Sequence, residues 1–244
     1  MDTASSNYNS LEGKLNQRLS NGLVYSLGIT WMKSIDYGSA LRGGFLWPYN
    51  SYDLQQLRGV SDFDVPLRFV ANFVYDLPVG AGKAILSHGV AGAIFGGWQM
   101  GGIVTAYSGL PTNGPQLGDT ARVGTLNNAG NYTGISPIPA NRDMQHWWNA
   151  GAFDSTSPNL SYQAGNQGRN AFYGIGAWTV NASLSRNIKI RESHKLNMRL
   201  DAFNALNKAN YNTPSTNYQS PTTFGIITSA KTMRQLQLSL KYSF

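Results

Sequence analysis

The C-terminal stretch at residues 234–244, RQLQLSLKYSF, alternates between polar and apolar side chains. Its apolar positions are Leu236, Leu238, Leu240, Tyr242 and Phe244, and a glutamine, serine or lysine stands between each pair. A period of two residues places alternate side chains on opposite faces of an extended chain. These residues are therefore predicted to form a β-strand with one apolar and one polar face.

The same alternation recurs upstream, clearly at residues 23–31, 65–75 and 178–190 and more loosely at 9–19, 98–108 and 195–203. Strands of soluble proteins average about five or six residues, whereas a tilted strand needs about 9–11 to cross a bilayer. The polar face is rich in asparagine, serine and threonine, as a water-filled lumen requires. The sequence predicts an all-β fold of about seven antiparallel, up-and-down transmembrane barrel strands.

The predicted connections alternate in length. Tight turns fall at residues 20–22 and 191–194, and long excursions follow Lys33, Gly109 and Asn204. Short turns on one rim and long loops on the other are typical of outer-membrane barrels. In a compact soluble domain, a loop as long as the one after Gly109 would count against the assignment.

Aromatic side chains recur near the predicted strand ends, as in the membrane girdles of such barrels. If the tight turns mark the periplasmic rim, Tyr25, Tyr75, Trp98, Tyr242 and Phe244 fall at that boundary, and Trp31 and Trp178 fall near the outer one. The alternative is that these rings form the core of a soluble β-sandwich. The two folds differ in where four apolar residues lie. In a barrel they would form an outward belt and in a sandwich a closed core; they are Leu27, Phe69, Leu184 and Leu238.

One segment competes with the strand pattern. Residues 89–109 are uncharged and long enough for a transmembrane helix, but they include glycines that each destabilise a helix interior by about 1 kcal/mol. We expect a glycine-rich turn followed by a strand that begins near Trp98.

The composition excludes several classes of protein. Only 13% of the 244 residues are charged and 12% are aromatic, whereas a disordered chain would be charge-rich and aromatic-poor. Without cysteine, the chain forms neither disulfides nor a cysteine-ligated zinc site. The net charge is +7, but its densest basic stretch, residues 189–199, is interrupted by Glu192. No nucleic-acid partner is expected.

Several short motifs, taken in order, resemble the barrel of Oar-like TonB-dependent receptors over residues 8–244. They are Arg68 with YDLPVG at 75–80, GGWQ at 96–99, SGLP at 108–111, WNAGAF at 148–153, GNQGRN at 165–170, RLDAFNALN at 199–207, FGII at 224–227 and the final RQLQLSLKYSF. Each motif is weak alone, and their order and spacing carry the resemblance.

The resemblance implies a bacterial outer-membrane transporter with a barrel of about 22 strands and an N-terminal plug, which imports a substrate with energy relayed by TonB. Residues 1–244 are then expected to be the C-terminal part of that barrel, with residues 1–7 disordered and with the plug, TonB box and signal peptide absent. An odd set of strands does not close a single-chain bacterial barrel. We therefore expect a piece of a larger barrel or one chain of a split one.

The resemblance also implies the partners. These are outer-membrane lipid, the rest of the barrel and its plug, TonB through the missing N-terminal region, and the barrel-assembly machinery. The last strand, with Leu236, Leu238, Leu240, Tyr242 and Phe244, resembles the signal that this machinery reads.

No catalytic or metal chemistry is expected, and no cofactor. The segment around Lys83 lacks the first glycine and the following serine or threonine of a phosphate-binding loop. The three histidines are far apart in sequence, and no GxSxG motif is present. Asp62 and Asp64 lack the glycine and glutamate of a calcium loop, which favours a solvated loop.

Substrate contacts are expected in the long outer loops, where seven residues have suitable side chains: Arg142, His146, Trp147, Trp148, Arg169, Asn170 and Tyr173. The alternative is that each of them packs the loops together. Two alternatives for the whole protein stay open here. One is a soluble all-β carbohydrate-binding module, and the other is a passive outer-membrane pore or adhesin barrel without TonB coupling.

Overall fold

The computed structural model describes residues 5–39, 53–114, 116–117, 122, 128–154, 165–216 and 222–244. Seven long strands dominate it: β1 (Ser6–Arg18), β2 (Leu23–Asp36), β3 (Leu67–Asp76), β4 (Trp98–Tyr107), β5 (Ala177–Lys189), β6 (Lys195–Phe203) and β7 (Gln235–Ser243). Each pairs antiparallel with the next along the chain, in one up-and-down sheet. All seven predicted strands are confirmed.

The remaining elements are short. The two-residue strand Gly59–Val60 pairs with the end of β2, and three small ladders join Pro111–Thr112 to Phe172–Tyr173, Gln116–Leu117 to Asn128–Ala129 and Asn131–Tyr132 to Phe153–Asp154. Among the described residues, two 3₁₀ turns span Leu54–Leu57 and Ala150–Ala152, and one α-helix, α1, spans Gly89–Phe95. Ser6 and Asn7, predicted to be disordered, instead pair with Asp36 and Ile35; residues 1–4 lie outside the described residues.

The strand register collects the apolar side chains on one face of the sheet. Residues paired directly across neighbouring strands share a face, and one such row contains Leu15, Leu27, Ala71, Val104 and Val180. Phe69, Leu184 and Leu238 have the same parity in their strands and lie on this face too. We call it the apolar face, and the opposite side the polar face.

No second sheet covers the apolar face within the part of the chain that the structure describes. The buried hydrophobic cluster there consists of Trp148, Ala152, Phe153, Phe172 and Phe224, all in the loops. Leu238 of β7, by contrast, is 78% exposed. The sandwich interpretation is therefore wrong, and the apolar belt expected of a barrel is confirmed.

The sheet is open, because β1 and β7 lie at its two edges and do not pair with each other. Lipid offers no hydrogen bonds to such edges, so only closed barrels are stable in a bilayer.

Two rims follow from the topology. The short-turn rim contains connections 19–22, 77–97 and 190–194, and the long-loop rim contains connections 37–66, 108–176 and 204–234. The predicted alternation holds for connections 19–22 and 190–194 and for the three long loops, but connection 77–97 is 21 residues long and contains α1. Six girdle candidates lie on the apolar face by register, with Trp31 and Trp178 toward the long-loop rim and Tyr25, Tyr75, Trp98 and Tyr242 toward the short-turn rim. Phe244 directly follows β7 at the short-turn rim.

The glycine-rich segment differs in part from the prediction. A strand does begin at Trp98, but residues 89–95, predicted to be a turn, form helix α1. No helix among the described residues is long and apolar enough to span a membrane.

A charge placed on the apolar face tests which side meets lipid. Leu27 lies midway along β2, so Leu27→Arg is expected to destabilise the folded protein in lipid vesicles by about 2–4 kcal/mol. Its neighbour Ser26 lies on the polar face beside a depression of about 230 Å³, and Ser26→Arg is expected to have little effect. Urea unfolding of both variants measures the difference. Equal effects would contradict the assignment of the faces.

Candidate functional site

The long-loop rim carries all seven predicted substrate-contact residues, but they do not form one patch. Arg169, Asn170 and Tyr173 lie in polar contacts near the ends of β2 and β3. Trp147, Trp148 and Arg142 lie at an aromatic cluster farther along the loops. His146 is exposed at the surface.

Arg169 holds three segments together and is only 5% exposed. Its Nη2 forms an ion pair with the Asp36 carboxylate at the end of β2 and donates to the Asp36 carbonyl oxygen at 2.8 Å. Its Nε donates to the carbonyl of Leu57 at 2.9 Å, and its Nη1 donates to Ser39 Oγ at 3.2 Å. A buried guanidinium is stable only when carboxylate and carbonyl oxygens satisfy it in this way.

Gly59 allows the chain to pass close to Arg169. A Cβ at this position would lie 2.6 Å from the Arg169 carbonyl oxygen and 2.9 Å from the Arg169 Cβ. Any larger residue would push the two loops apart, so the glycine here is a packing requirement.

Asp64 is the second polar centre and is fully buried. Its carboxylate accepts from the Ser34 backbone N–H at 2.6 Å and from the Tyr173 hydroxyl at 2.6 Å. Lys33 Nζ lies 2.7 Å from the same hydroxyl and 3.5 Å from Asp64 Oδ2. The predicted solvated loop is therefore wrong for Asp64, whereas the side chain of Asp62 is exposed.

The pKa of Tyr173 is raised by burial and by the neighbouring Asp64 carboxylate. The phenol therefore stays protonated at neutral pH and serves as the donor that Asp64 requires. This contact fixes the loop after Asn170 against β2.

Asn170 occupies a left-handed backbone conformation with φ 53°, which asparagine tolerates better than most residues. Its backbone N–H donates to Asn113 Oδ1 at 2.8 Å, and its amide Nδ2 donates to the Val60 carbonyl at 2.8 Å and to Asp62 Oδ1 at 2.6 Å. The residue is buried and connects three loop segments.

An aromatic core lies within the loops. Trp148, Phe153, Phe172 and Phe224 are buried and pack with Tyr132 and Trp147 at their edge. Ring centroids are 5.1 Å apart for Trp148 and Phe172, and 5.6 Å apart for Phe153 and Phe224. Such tilted and edge-to-face pairs add to the stabilisation from burial. We call this group the loop core.

Arg142 lies on the outer surface of the loop core. Its guanidinium carbon is 4.7 Å from the Trp147 ring centroid and 5.5 Å from that of Trp148, within the range of a cation–π contact. The indole N–H groups of both tryptophans are buried, and neither has a hydrogen-bond partner among the described residues. The exposed guanidinium suits an anionic ligand, whereas the two buried indole N–H groups face the protein interior.

His146 contacts Asp143 on the exposed side of the same loop, with Nδ1 3.0 Å from Asp143 Oδ1. The hydrogen bond from His146 lowers the pKa of the Asp143 carboxyl. Arg142 and His146 are thus the exposed members of the predicted set, whereas Trp148, Arg169 and Asn170 are buried and hold the loops in place.

A cavity lies next to these polar contacts at the long-loop rim. It has a volume of about 590 Å³ and is lined by Leu11, Trp31, Lys33, Pro66 and Tyr173, among others. Leu11 and Trp31 lie on the apolar face by register, whereas Ser10 and Met32, which also line the cavity, lie on the polar face.

The polar face carries hydrogen-bonded polar pairs. Arg199 Nη2 donates to Asp201 Oδ1 at 2.8 Å, and Gln99 Nε2 donates to Asp76 Oδ1 at 2.8 Å. A surface of this kind is hydrated and suits a path for polar solutes. Within the described ranges, no group of three or more histidine or acidic side chains could hold a metal ion.

Sequence reasoning did not identify Asp36, Asp64 and Phe172 as centres of the loop contacts. Their partners are distant in sequence, and Arg169 and Asp36 are 133 residues apart. The sequence did contain one signal, which is the position of these charged residues next to strand ends. Charged residues are scarce in this chain, and a charged side chain at a strand end needs either a partner or water.

Comparison with known proteins agrees with the open, one-layer sheet and its two unlike rims. A family model described as an outer membrane beta barrel domain matches residues 1–237. No curated protein and no solved structure matches the chain. The chain is therefore a member of the outer membrane beta barrel domain family, and its location is the bacterial outer membrane.

Proposed function

We propose that this chain forms part of the barrel of a TonB-dependent, Oar-like transporter that imports a substrate across the outer membrane, and that it is not an enzyme. The observation that carries the proposal is the polar face of the sheet, which is lined by hydrogen-bonded side chains such as Arg199 and Asp201. The outer loops at its long-loop rim are held together by buried polar contacts such as that of Arg169 with Asp36. A substrate path needs a hydrated wall and a structured entrance, and this arrangement supplies both.

Within this proposal, the exposed loop residues contact the substrate. Arg142 supplies a positive charge at the surface, His146 supplies an exposed imidazole, and Trp147 supplies a half-buried aromatic edge. Arg169, Asn170 and Tyr173 position the loops, because their polar atoms are engaged in protein contacts. Trp148 belongs to the loop core.

The proposal includes partners beyond the chain. Outer-membrane lipid surrounds the apolar face, and further strands pair with the edges of β1 and β7. A plug fills the lumen, TonB supplies energy, and the barrel-assembly machinery inserts the protein. No nucleic acid and no cofactor take part.

Energy coupling separates this proposal from a passive pore. We expect the full-length protein to co-purify with the periplasmic domain of TonB and to show no steady ion conductance in planar bilayers. Removing the segment before the barrel strands should open a steady conductance, because the plug would be gone. Steady conductance of the intact protein without TonB binding would establish the passive pore instead.

The terminal aromatic is expected to matter for assembly. Phe244 is 90% exposed, and its ring contacts that of Tyr242 at a centroid separation of 5.9 Å, so burial does not account for an aromatic residue here. Phe244→Ala in the full-length protein is expected to lower the amount inserted in the outer membrane, because the assembly machinery would lose its signal. Ser243→Ala, on the polar side of the same strand, is the control. Unchanged insertion of Phe244→Ala would contradict this role.

A further inference from the structure

Helix α1 presents an apolar surface that none of the described residues covers. Val90 is 75% exposed, Ile94 54% and Phe95 60%. Ile85 and Leu86, just before the helix, are also exposed apolar residues. A contiguous apolar patch of this kind on a folded protein marks a surface that contacts another apolar phase.

The helix packs closely against the segment before it, with this surface turned outward. Gly92 is buried, and a Cβ there would lie 2.3 Å from the Leu86 carbonyl oxygen. Val90 and Ile94 stand two residues to either side of Gly92, which places them about 160° around the helix from it. Gly96 passes equally close to Gly80, whose Cα would lie 2.5 Å from a Cβ at Gly96.

Arg186 ties the helix to the apolar face of the sheet. Its guanidinium donates to the carbonyl oxygens of Ala93 and Ile94 at the end of α1 and lies 5.9 Å from the Trp98 ring centroid. Arg186 pairs with Trp98 across β4 and β5 and with Met198 across β5 and β6, so it stands on the apolar face at the short-turn rim. The patch on α1 is therefore continuous with the surface that faces lipid.

We propose that helix α1 lies in the inner leaflet of the outer membrane as an interfacial anchor, with Val90, Ile94 and Phe95 among the phospholipid acyl chains. A seven-residue helix is too short to be stable alone in water, and it carries no charge that would favour the aqueous phase. Trp98 and Arg186 beside it have the side chains typical of the headgroup level, an amphipathic ring and a long cation. The helix fixes the depth of the short-turn rim in the membrane.

The absence of cysteine in these 244 residues makes a direct test possible. Val90→Cys provides a single thiol for an environment-sensitive fluorophore in protein reconstituted in phosphatidylethanolamine and phosphatidylglycerol vesicles. Glu192→Cys, in the exposed turn of the same rim, is the aqueous control. Ile29→Cys on the apolar face is the lipid control. Heat-modifiable migration on gels verifies that each variant is folded.

We expect the label at position 90 to show blue-shifted emission and protection from iodide. We also expect strong quenching by lipids whose nitroxide lies near the headgroup end of the acyl chain, and weaker quenching by nitroxides near the bilayer centre. An aqueous spectrum like that at position 192 would overturn the proposal. Protection from iodide without quenching by any nitroxide lipid would overturn it as well, because a protein partner or a second copy would then cover the patch.

Discussion

Arg169→Met is expected to release the outer loops from β2 while leaving the strands folded. The substitution leaves the Asp36 carboxylate buried without its partner, a change that destabilises by about 3–5 kcal/mol in comparable buried pairs. The carbonyls of Asp36 and Leu57 lose their donors at the same time. Pulse proteolysis in urea, monitored at the loops, measures the loss, and heat-modifiable migration on gels reports whether the barrel strands remain folded.

Two further variants make the experiment specific. Arg58→Leu removes an exposed arginine from connection 37–66, the loop that Arg169 contacts at Leu57 and Gly59, and is expected to leave protease resistance unchanged. The double variant Arg169→Met with Asp36→Leu replaces the ion pair by apolar groups and should recover part of the lost stability, since no buried charge remains. If Arg169→Met and Arg58→Leu behave alike, the ion pair does not hold the loops.

Phe172→Ala is expected to lower the stability of the loop core by about 3–5 kcal/mol, the usual effect of removing a buried aromatic ring. Its ring contacts those of Trp148, Phe153 and Tyr132, with centroid separations of 5.1, 5.7 and 6.0 Å. The two-residue ladder between Phe172–Tyr173 and Pro111–Thr112 would then lose its support. The backbone N–H of Gly174 donates to the Leu110 carbonyl. Its hydrogen exchange should accelerate by the factor that corresponds to the lost free energy of loop stability.

Phe63→Ala is the matched control, because Phe63 is a half-exposed aromatic in a loop of the same rim. It should change exchange at Gly174 little. If the two alanine variants exchange equally fast there, the aromatic contacts would not be the source of loop stability.

The strands could be predicted from the sequence because their pattern is local. Each side chain of a strand points to one face or the other by position alone, so the alternation ending at Phe244 fixes both the element and its orientation. The pairing followed, since consecutive strands with alternating turn lengths pair with their neighbours. The same two observations were enough to predict the apolar face and the two rims.

The loops could not be predicted in the same way. Arg169 contacts Asp36, and Asp64 contacts Tyr173, through segments far apart in sequence, and no period in the sequence brings these residues together. Helix α1 was missed for a related reason. Glycine disfavours helices, but Gly92 is required here by its close approach to the Leu86 carbonyl, which only the folded structure reveals.

The loop core also has a calorimetric consequence. The apolar face meets lipid when folded, so melting within the membrane transfers little apolar surface into water, whereas Trp148, Phe153, Phe172 and Phe224 become hydrated when the loops open. Heat-capacity change scales with newly hydrated apolar area. The protein should therefore melt in two steps, with a loop transition that carries most of the heat-capacity increase and responds to the aqueous solvent. The strand transition should instead respond to the thickness of the surrounding bilayer.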